Sequence, residues 1–451
     1  MRPVGYGIDF GTTNSAVAVA YSNGSTQVLK LGDEGQDGLL PSLVYLHRNM
    51  NRLAGGPAVD AYLTTGTERT RCRGCELVDW VSGIGLTDCK QFRPNGFCMD
   101  SRLISQVKSA LSDTLIEGTH SWAVDFELED LVAVILKRLK DAADREVGEN
   151  IDRVVLGRPV RFVGADGEDF ERAQKLAEQR LERAAVRAGF VDVALVPESQ
   201  AAVAVDDISD GFVVCTDFGG GTFDVAVIDL HDNEAEVMAL DGVAVGGEEF
   251  DAKIFDHVIR PAIGLDSEFV VAPGQTRNLP ARLRHRLRSL SGLRALLADG
   301  DVSASVSALN GCGNDEVLKL ITELVYGGQA LSFYRAIEAA KVSLSDTDET
   351  SVRFRRPWIN LNLPLKRSTF EEMIGADLNL VGTCLKDACT AAGIAPRQIE
   401  YVTKTGGSSQ IPAFNLLLAE TFPSASIVKR DPFTCVVSGL AEYAVAEWAD
   451  E

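Results

Sequence analysis

What this chain lacks narrows its function before any motif is read. Nowhere in its 451 residues does an apolar run approach the roughly 18 residues that cross a bilayer, and the opening MRPVGYGIDF has no signal-peptide apolar region. A cytoplasmic protein without a membrane partner is expected. Basic charge is scarce too: 44 Lys and Arg stand against 65 Asp and Glu, a formal net charge of −21, which disfavours nonspecific nucleic-acid binding. The 5 histidines show no metal-ligand spacing. The 9 cysteines, without a targeting segment, are expected to be reduced thiols. Cys72-x-x-Cys75 with Cys89 and Cys98 offers thiolates for zinc, but the spacing is irregular and no second Cys-x-x-Cys occurs, so ordinary thiols are the simpler reading.

What is present centres on residues 212–229, FVVCTDFGGGTFDVAVID. An apolar strand ends at Asp217, turns through Gly219, Gly220, Gly221 and Thr222, and resumes from Phe223, the pattern of a β-hairpin. Glycines without Cβ let successive N–H groups form a concave nest for phosphate. Asp217 closes the strand where it could hold the hydrated magnesium of a nucleotide, with Thr222 and Asp224 beside it. A tight hairpin whose glycines serve only the turn is the plain alternative. Residues 7–21, GIDFGTTNSAVAVAY, repeat the plan: strand, Asp9, Phe10, Gly11, Thr12-Thr13, strand. Two such hairpins far apart point to duplicated lobes closing on one nucleotide from opposite sides.

In order along the chain, further strands are expected near 27–31, 40–45, 151–156, 191–196, 235–240, 352–354, 359–363 and 399–403. Helices are expected at 58–64, 102–111 (carrying Lys108), 126–147, 166–188, 366–392, 411–421 and 433–448, with a largely helical region from 251 to about 344. Strands first, then alternating helix and strand, imply an α/β sheet with helical cover. Gly246 and Gly247, then Glu248, open a helix whose positive dipole end suits an anion. Gly406, Gly407 and Ser408 make a second strand–Gly-Gly-Ser–helix step, suited to a nucleoside or sugar.

GIDFGTTNS, DFGGGTFDVAV, GGEEFD, EAAKVSLS and KTGGSSQIP fall in the order seen in the actin-like ATPase domain of the DnaK-type heat-shock chaperone (heat shock protein 70) family, and the chain resembles a YegD-type member. The resemblance implies an actin-like (ribonuclease H-like) fold of two lobes. Lobe I is expected over 1–205, with core 1–40 and 124–205 and an insert at 41–123. Lobe II is expected over 206–451, with core 206–250 and 373–451, an insert at 251–372, and a last helix returning to lobe I. Asp9 and Asp217 resemble the carboxylates that hold magnesium through water. Gly11, Thr12, Thr13 and Asn14 match the first phosphate loop and Gly219 to Thr222 the second. Lys108 resembles the catalytic lysine, Glu198 the glutamate near the attacking water, Asp224 the carboxylate after the second loop, and Pro159 the proline relaying nucleotide state. Glu338, Lys341 and Ser345 match the nucleoside-facing helix, opposite Gly406, Gly407, Ser408 and Gln410.

The resemblance therefore implies ATP/ADP and Mg2+ as ligands, with slow hydrolysis driven by positioning and charge neutralisation. An actin-fold small-molecule kinase and a nucleotide-binding module with negligible turnover stay open as alternatives. The sequence departs from the family at the base: Val342 and Gln410 stand where arginines flank adenine, removing cation–π stacking, and Phe433 replaces an aspartate. Because the chain stops after 433–448, no peptide-binding domain and no capture of extended peptides are expected. Residues 281–297 carry Arg282, Arg284, Arg286, Arg288 and Arg294 with no acid, and Leu283, Leu287, Leu290, Leu293 and Leu297 at helical spacing. An amphipathic helix with a solvated basic face is the plain reading; docking of an acidic protein partner is the functional one.

Overall fold

The computed structural model describes residues 1–31, 39–65, 69–71, 97–122, 124–162, 170–201, 210–231, 234–272, 274–290, 292–293, 315–325, 328–428 and 434–449. The first Asp-Phe-Gly stretch joins β1 (Pro3–Phe10) to β2 (Asn14–Tyr21), followed by β3 (Thr26–Val28). Later come β4 (Arg153–Arg158) and β5 (Asp192–Pro197), then the second hairpin, β6 (Gly211–Phe218) and β7 (Phe223–His231), with β8 (Glu234–Val243), β9 (Tyr401–Thr405) and β10 (Ser426–Val428). Two sheets result, ordered β5-β4-β1-β2-β3 and β10-β9-β6-β7-β8, with Leu40–Pro41 also pairing with β2. In each, the hairpin's first strand gains a later strand in parallel, and that strand gains another. The connectivity is thus the same twice, as expected of a duplicated unit.

Helices α1 (Leu128–Val147) and α2 (Phe170–Ala188) supply the crossovers of the first sheet. Glu127 and Asp130 cap the start of α1, and Gly148, at φ 82°, ends it in the left-handed conformation that glycine adopts cheaply. Alternation along the strands sends Tyr6, Ile8, Val17 and Val19 into the core under α1 and α2. It sends Val4, Ala16, Ala18 and Ala20 to the other face, against the last helix. In lobe II, α3 (Gly247–Ile254), α4 (Ala330–Asp346) and α5 (Arg367–Ala392) pack into one core with the second sheet. The last helix, α6 (Cys435–Trp448), lies on the first sheet, so close that a Cβ on Gly7 would overlap the backbone of Ala441.

Each sheet carries an insert. The first has a small sheet of Arg52–Ala54, Val44–His47 and Ser101–Ile104 with the helix Gly56–Thr65. The second holds the hairpin Phe269–Ala272 with Gln275–Arg277, the helices Ala281–Arg286 and Asp315–Val325, α4, and the hairpin Glu349–Arg356 with Ile359–Lys366. Leu290 and Leu331 of the second insert pack against Tyr45, Ala58, Val59 and Leu103 of the first, so the inserts touch.

Three expectations are corrected. Residues 102–111 do not form one helix: Ser101–Ile104 pairs in the small sheet, and only Lys108–Ala110 turns as a 3-10 helix. The apolar spacing was genuine, since Ile104, Val107 and Leu111 are buried, but Gln106 at φ 60° interrupts any helical path. The region 251–344 is not helical throughout, because Gly274 at φ 74° turns a hairpin. Within 281–297 the helix Ala281–Arg286 ends at Leu287, and helical backbone resumes at Leu290. Cys72, Cys75, Cys89, Arg294, Leu297 and Phe433 lie outside the described residues, and Cys98 is placed only as part of the strand Phe97–Met99.

Candidate functional site

A cleft of about 580 Å³ opens between the two sheets and their inserts. Both hairpin turns enter it, and they interlock. A Cβ on Gly220 would stand 2.5 Å from the Thr13 hydroxyl, and one on Gly221 would stand 3.5 Å from that of Thr12. The second loop needs glycine here because the threonines of the first occupy the space a side chain would take. Its carbonyls are turned back into lobe II: Gly219 O accepts from Gly247 N–H (3.1 Å) and the Ser408 hydroxyl (2.8 Å), and Gly220 O accepts from Glu248 N–H (2.8 Å). The amides of Thr12, Thr13, Gly220 and Gly221 make no hydrogen bond to another described residue. They lie at a cleft wall, where an anion can use them.

The ends of β1 and β6 bring Asp9 and Asp217 to the same cleft, beside a buried ion pair. Lys108, from the 3-10 turn, donates to Glu198 Oε1 at 2.6 Å, both side chains being almost wholly enclosed. Gly157 on β4 makes room for Glu198, since a Cβ there would come within 2.9 Å of its Cγ. Burial pulls the Lys108 pKa down, but Glu198, Asp9 and Asp217 outweigh it and hold the ammonium above its ordinary value. Asp9 is pushed up to about 8 by burial and then by Glu198, and Asp217 to about 6 for the same reasons. Thr405 donates to Asp217 at 2.8 Å, and Gly406, at φ 80°, lets the chain turn against that carboxylate.

Among the described residues no three His, Cys, Asp or Glu side chains are grouped to hold a metal unaided. Two hard carboxylates facing a cleft suit an ion that keeps waters and completes its shell on phosphates, the habit of magnesium. Asp9 and Asp217 therefore fit such an ion.

Helix α4 lines the other end with Glu338, Lys341, Val342 and Ser345, opposite Gly406, Gly407, Ser408 and Gln410. Lys341 is tied to Asp251 (3.0 Å) and to Gly247 O (2.7 Å), bracing α3 against α4. Val342 is 58 % exposed, and Gln410 donates to the Ser409 hydroxyl at 3.1 Å. Gly11, Asn14, Gly219, Gly247, Glu248 and Thr222 complete the expected residues at the cleft wall.

Some expected residues sit elsewhere. Gly246 does not line the cleft; it packs under the Gly220 carbonyl, where a Cβ would overlap it. The first amides of α3 serve Gly219 O and Gly220 O, so this helix start braces the loop and does not offer those N–H groups to an anion. Asp224 is buried behind the second loop, and its Oδ1 accepts from Val160 N–H (3.0 Å) just past Pro159. Burial, with Glu198 and Asp217 nearby, pushes Asp224 up to about 7. With Arg161–Asp241 at 3.5 Å, it stitches the segment after β4 to the second sheet. Two arginines of the basic stretch are drawn into ion pairs: Arg284 pairs with Asp266 (2.9 Å), and Arg288 with Glu249 (3.0 Å) and Asp256 (2.6 Å), while Arg282 is exposed.

Other cleft residues escape sequence reasoning. Gln106 of the first insert donates to Glu248 of α3 across the cleft. Arg288, Ser289 and Leu290 come from the second insert, with no motif to announce them. Leu331 and Arg335 lie seven and three residues before Glu338 on α4, a helical spacing that could have found them.

Comparison with known proteins agrees with this geometry. The family model described as Hsp70 protein matches residues 5–263 and 329–444, passing over the segment that supplies Arg288 to Leu290. A mitochondrial heat shock 70 kDa protein of Solanum tuberosum is 24% identical over 452 residues, covering 96% of this chain and 54% of that protein. A chaperone protein DnaK of Mycoplasmoides gallisepticum is 26% identical over 432 residues, covering 93% of this chain and 56% of that protein. The chain thus spans about half the length of the curated relatives it matches. With matched positions running through both hairpins, α4 and the last helix, this chain belongs to the Hsp70 protein family.

Proposed function

We propose that the cleft binds ATP and ADP with magnesium and hydrolyses ATP slowly, in a chaperone-like protein switched by nucleotide. The observation that carries this reading is the pair of interlocking loops, whose amides have no partner among the described residues, beside the enclosed Lys108–Glu198 pair. Amides from both loops would bind the phosphates, and Lys108 would set a fixed positive charge against the transferring group. Glu198, held by Lys108, would orient the attacking water. A magnesium ion on Asp9 and Asp217 would add charge neutralisation at the phosphates. The lobes, divided near 205 with inserts at 41–123 and 251–372, would close around the nucleotide and signal to a protein partner through their surfaces.

A second reading is favoured by one feature. Val342 and Gln410 bring no cation to the base, which supports a nucleotide-binding module of low affinity and negligible turnover. Calorimetric titration with ADP and ATP plus magnesium, followed by phosphate release with and without sugar or carboxylate acceptors, separates the readings. Magnesium-dependent release without acceptor supports the ATPase, binding without release supports the module, and acceptor-dependent turnover supports a kinase. No binding of either nucleotide would sink all three.

A further inference from the structure

Among the described residues four cations line the cleft, and three of them are already paired with carboxylates. Lys108 is paired with Glu198, Lys341 with Asp251, and Arg288 with Glu249 and Asp256. Arg335 differs: it is exposed and makes no hydrogen bond or ion pair with another described residue. Even Glu338, one turn away on α4, does not engage it. A guanidinium with no partner among the described residues, in a cleft otherwise rich in carboxylates, is a binding group for an external anion.

Its place on α4 says which anion. Lys341, bonded to Gly247 O, marks the level of the phosphate loops, while Val342 lines the same cleft and is the position that the nucleotide reading sets beside the base. Arg335 lies about 9 Å further along the helix axis, at 1.5 Å per residue. It stands one turn past Glu338, towards the mouth where Leu331 meets the first insert. Tyr334 donates to Leu287 O at 2.6 Å, so the second insert walls this spot next to Arg335. With the 5′-phosphates in the loops and the base by Val342, the part of a nucleotide that faces this turn is the ribose edge. Resting on the nucleotide reading above, we propose that Arg335 recognises a phosphate carried on the ribose, so that the cleft prefers ribose-phosphorylated nucleotides to plain ADP.

The test is calorimetric titration of the full chain with magnesium, using ADP, adenosine 3′-phosphate 5′-diphosphate and its 2′-phosphate isomer. One of the two ribose-phosphorylated ligands should bind about tenfold or more tightly than ADP, the scale of a hydrogen bond to a charged group. Arg335→Ala should bring that ratio close to one, and Arg335→Lys should keep part of it, since a point charge survives without the planar fork. Equal or weaker binding of both ribose-phosphorylated ligands by the natural chain would overturn the proposal, as would a ratio unchanged in Arg335→Ala. Binding of none of the three would overturn the nucleotide reading itself, a failure distinct from ADP binding without preference.

Discussion

The two sheets repeat one connectivity but answer different demands at matched places. Two residues before Asp9 stands Gly7, and two before Asp217 stands Cys215. Gly7 is needed because the backbone of α6 presses on β1, whereas Cys215 lies in a small apolar cluster with Val213, Ala226 and Ile228. The turns diverge likewise. Lobe I keeps hydroxyls in its turn and, with its insert, supplies the enclosed Lys108–Glu198 pair. Lobe II sets three glycines before the single Thr222 in its turn and braces it from behind with α3 and Ser408. Duplication supplied the frame; which side chains were kept depends on what each copy must touch.

The largest test of this division is Lys108→Ala. If lobe I holds the reactive charge, phosphate release should fall by a factor of about a hundred or more, the scale of losing one preorganised donor. Nucleotide affinity should change much less, because the loops remain. Single-turnover assays beside titrations check this, and unchanged turnover would remove Lys108 from the chemistry.

Gly7→Ala should come next. Forcing a Cβ against Ala441 should cost about 1–3 kcal/mol of stability, whereas Cys215→Ala should cost about 1 kcal/mol or less. Chemical denaturation of both variants decides it; equal costs would mean that α6 does not distinguish the sheets.

If the nucleoside lies beside α4 as proposed, Val342→Arg and Gln410→Arg should each tighten ADP binding by about 0.5–2 kcal/mol through stacking on the base. Calorimetry showing no gain in the double variant would place the base elsewhere.

The smallest effect expected is on pH dependence. Burial raises Asp224 to about 7 and Glu248 to about 7, on lobe II, and Asp9 to about 8 on lobe I. The folded chain therefore keeps protons that the unfolded chain releases above its ordinary carboxylate range. That stability is fully present at low pH and is lost as pH rises through about 7 to 8. The melting temperature of ligand-free protein should fall by a few °C, on the order expected for a large domain, between pH 6 and 8.5. Asp224→Asn should flatten that fall. A melting temperature that climbs over this interval would show that these groups do not govern it.

By itself the sequence determined what is local: the paired Asp-Phe-Gly hairpins, the long periodic helices at 128–147 and 367–392, the acidic charge and the order of the motifs. Those features depend on residues a few positions apart, where alternation, period and glycine carry the signal. Only the tertiary structure decided the rest. Gly246 became a brace, because the nearest partner for the α3 amides is the second loop's own backbone. The stretch 102–111 became a strand and a turn, because pairing with Val44–His47 outweighs a helical spacing that both arrangements satisfy. Arg288 was matched by Glu249 and Asp256 while Arg335 was left without a partner among the described residues. A side chain's charge is written in the sequence, but its neutralisation depends on residues far away in the chain, and only folding brings those within a few ångströms.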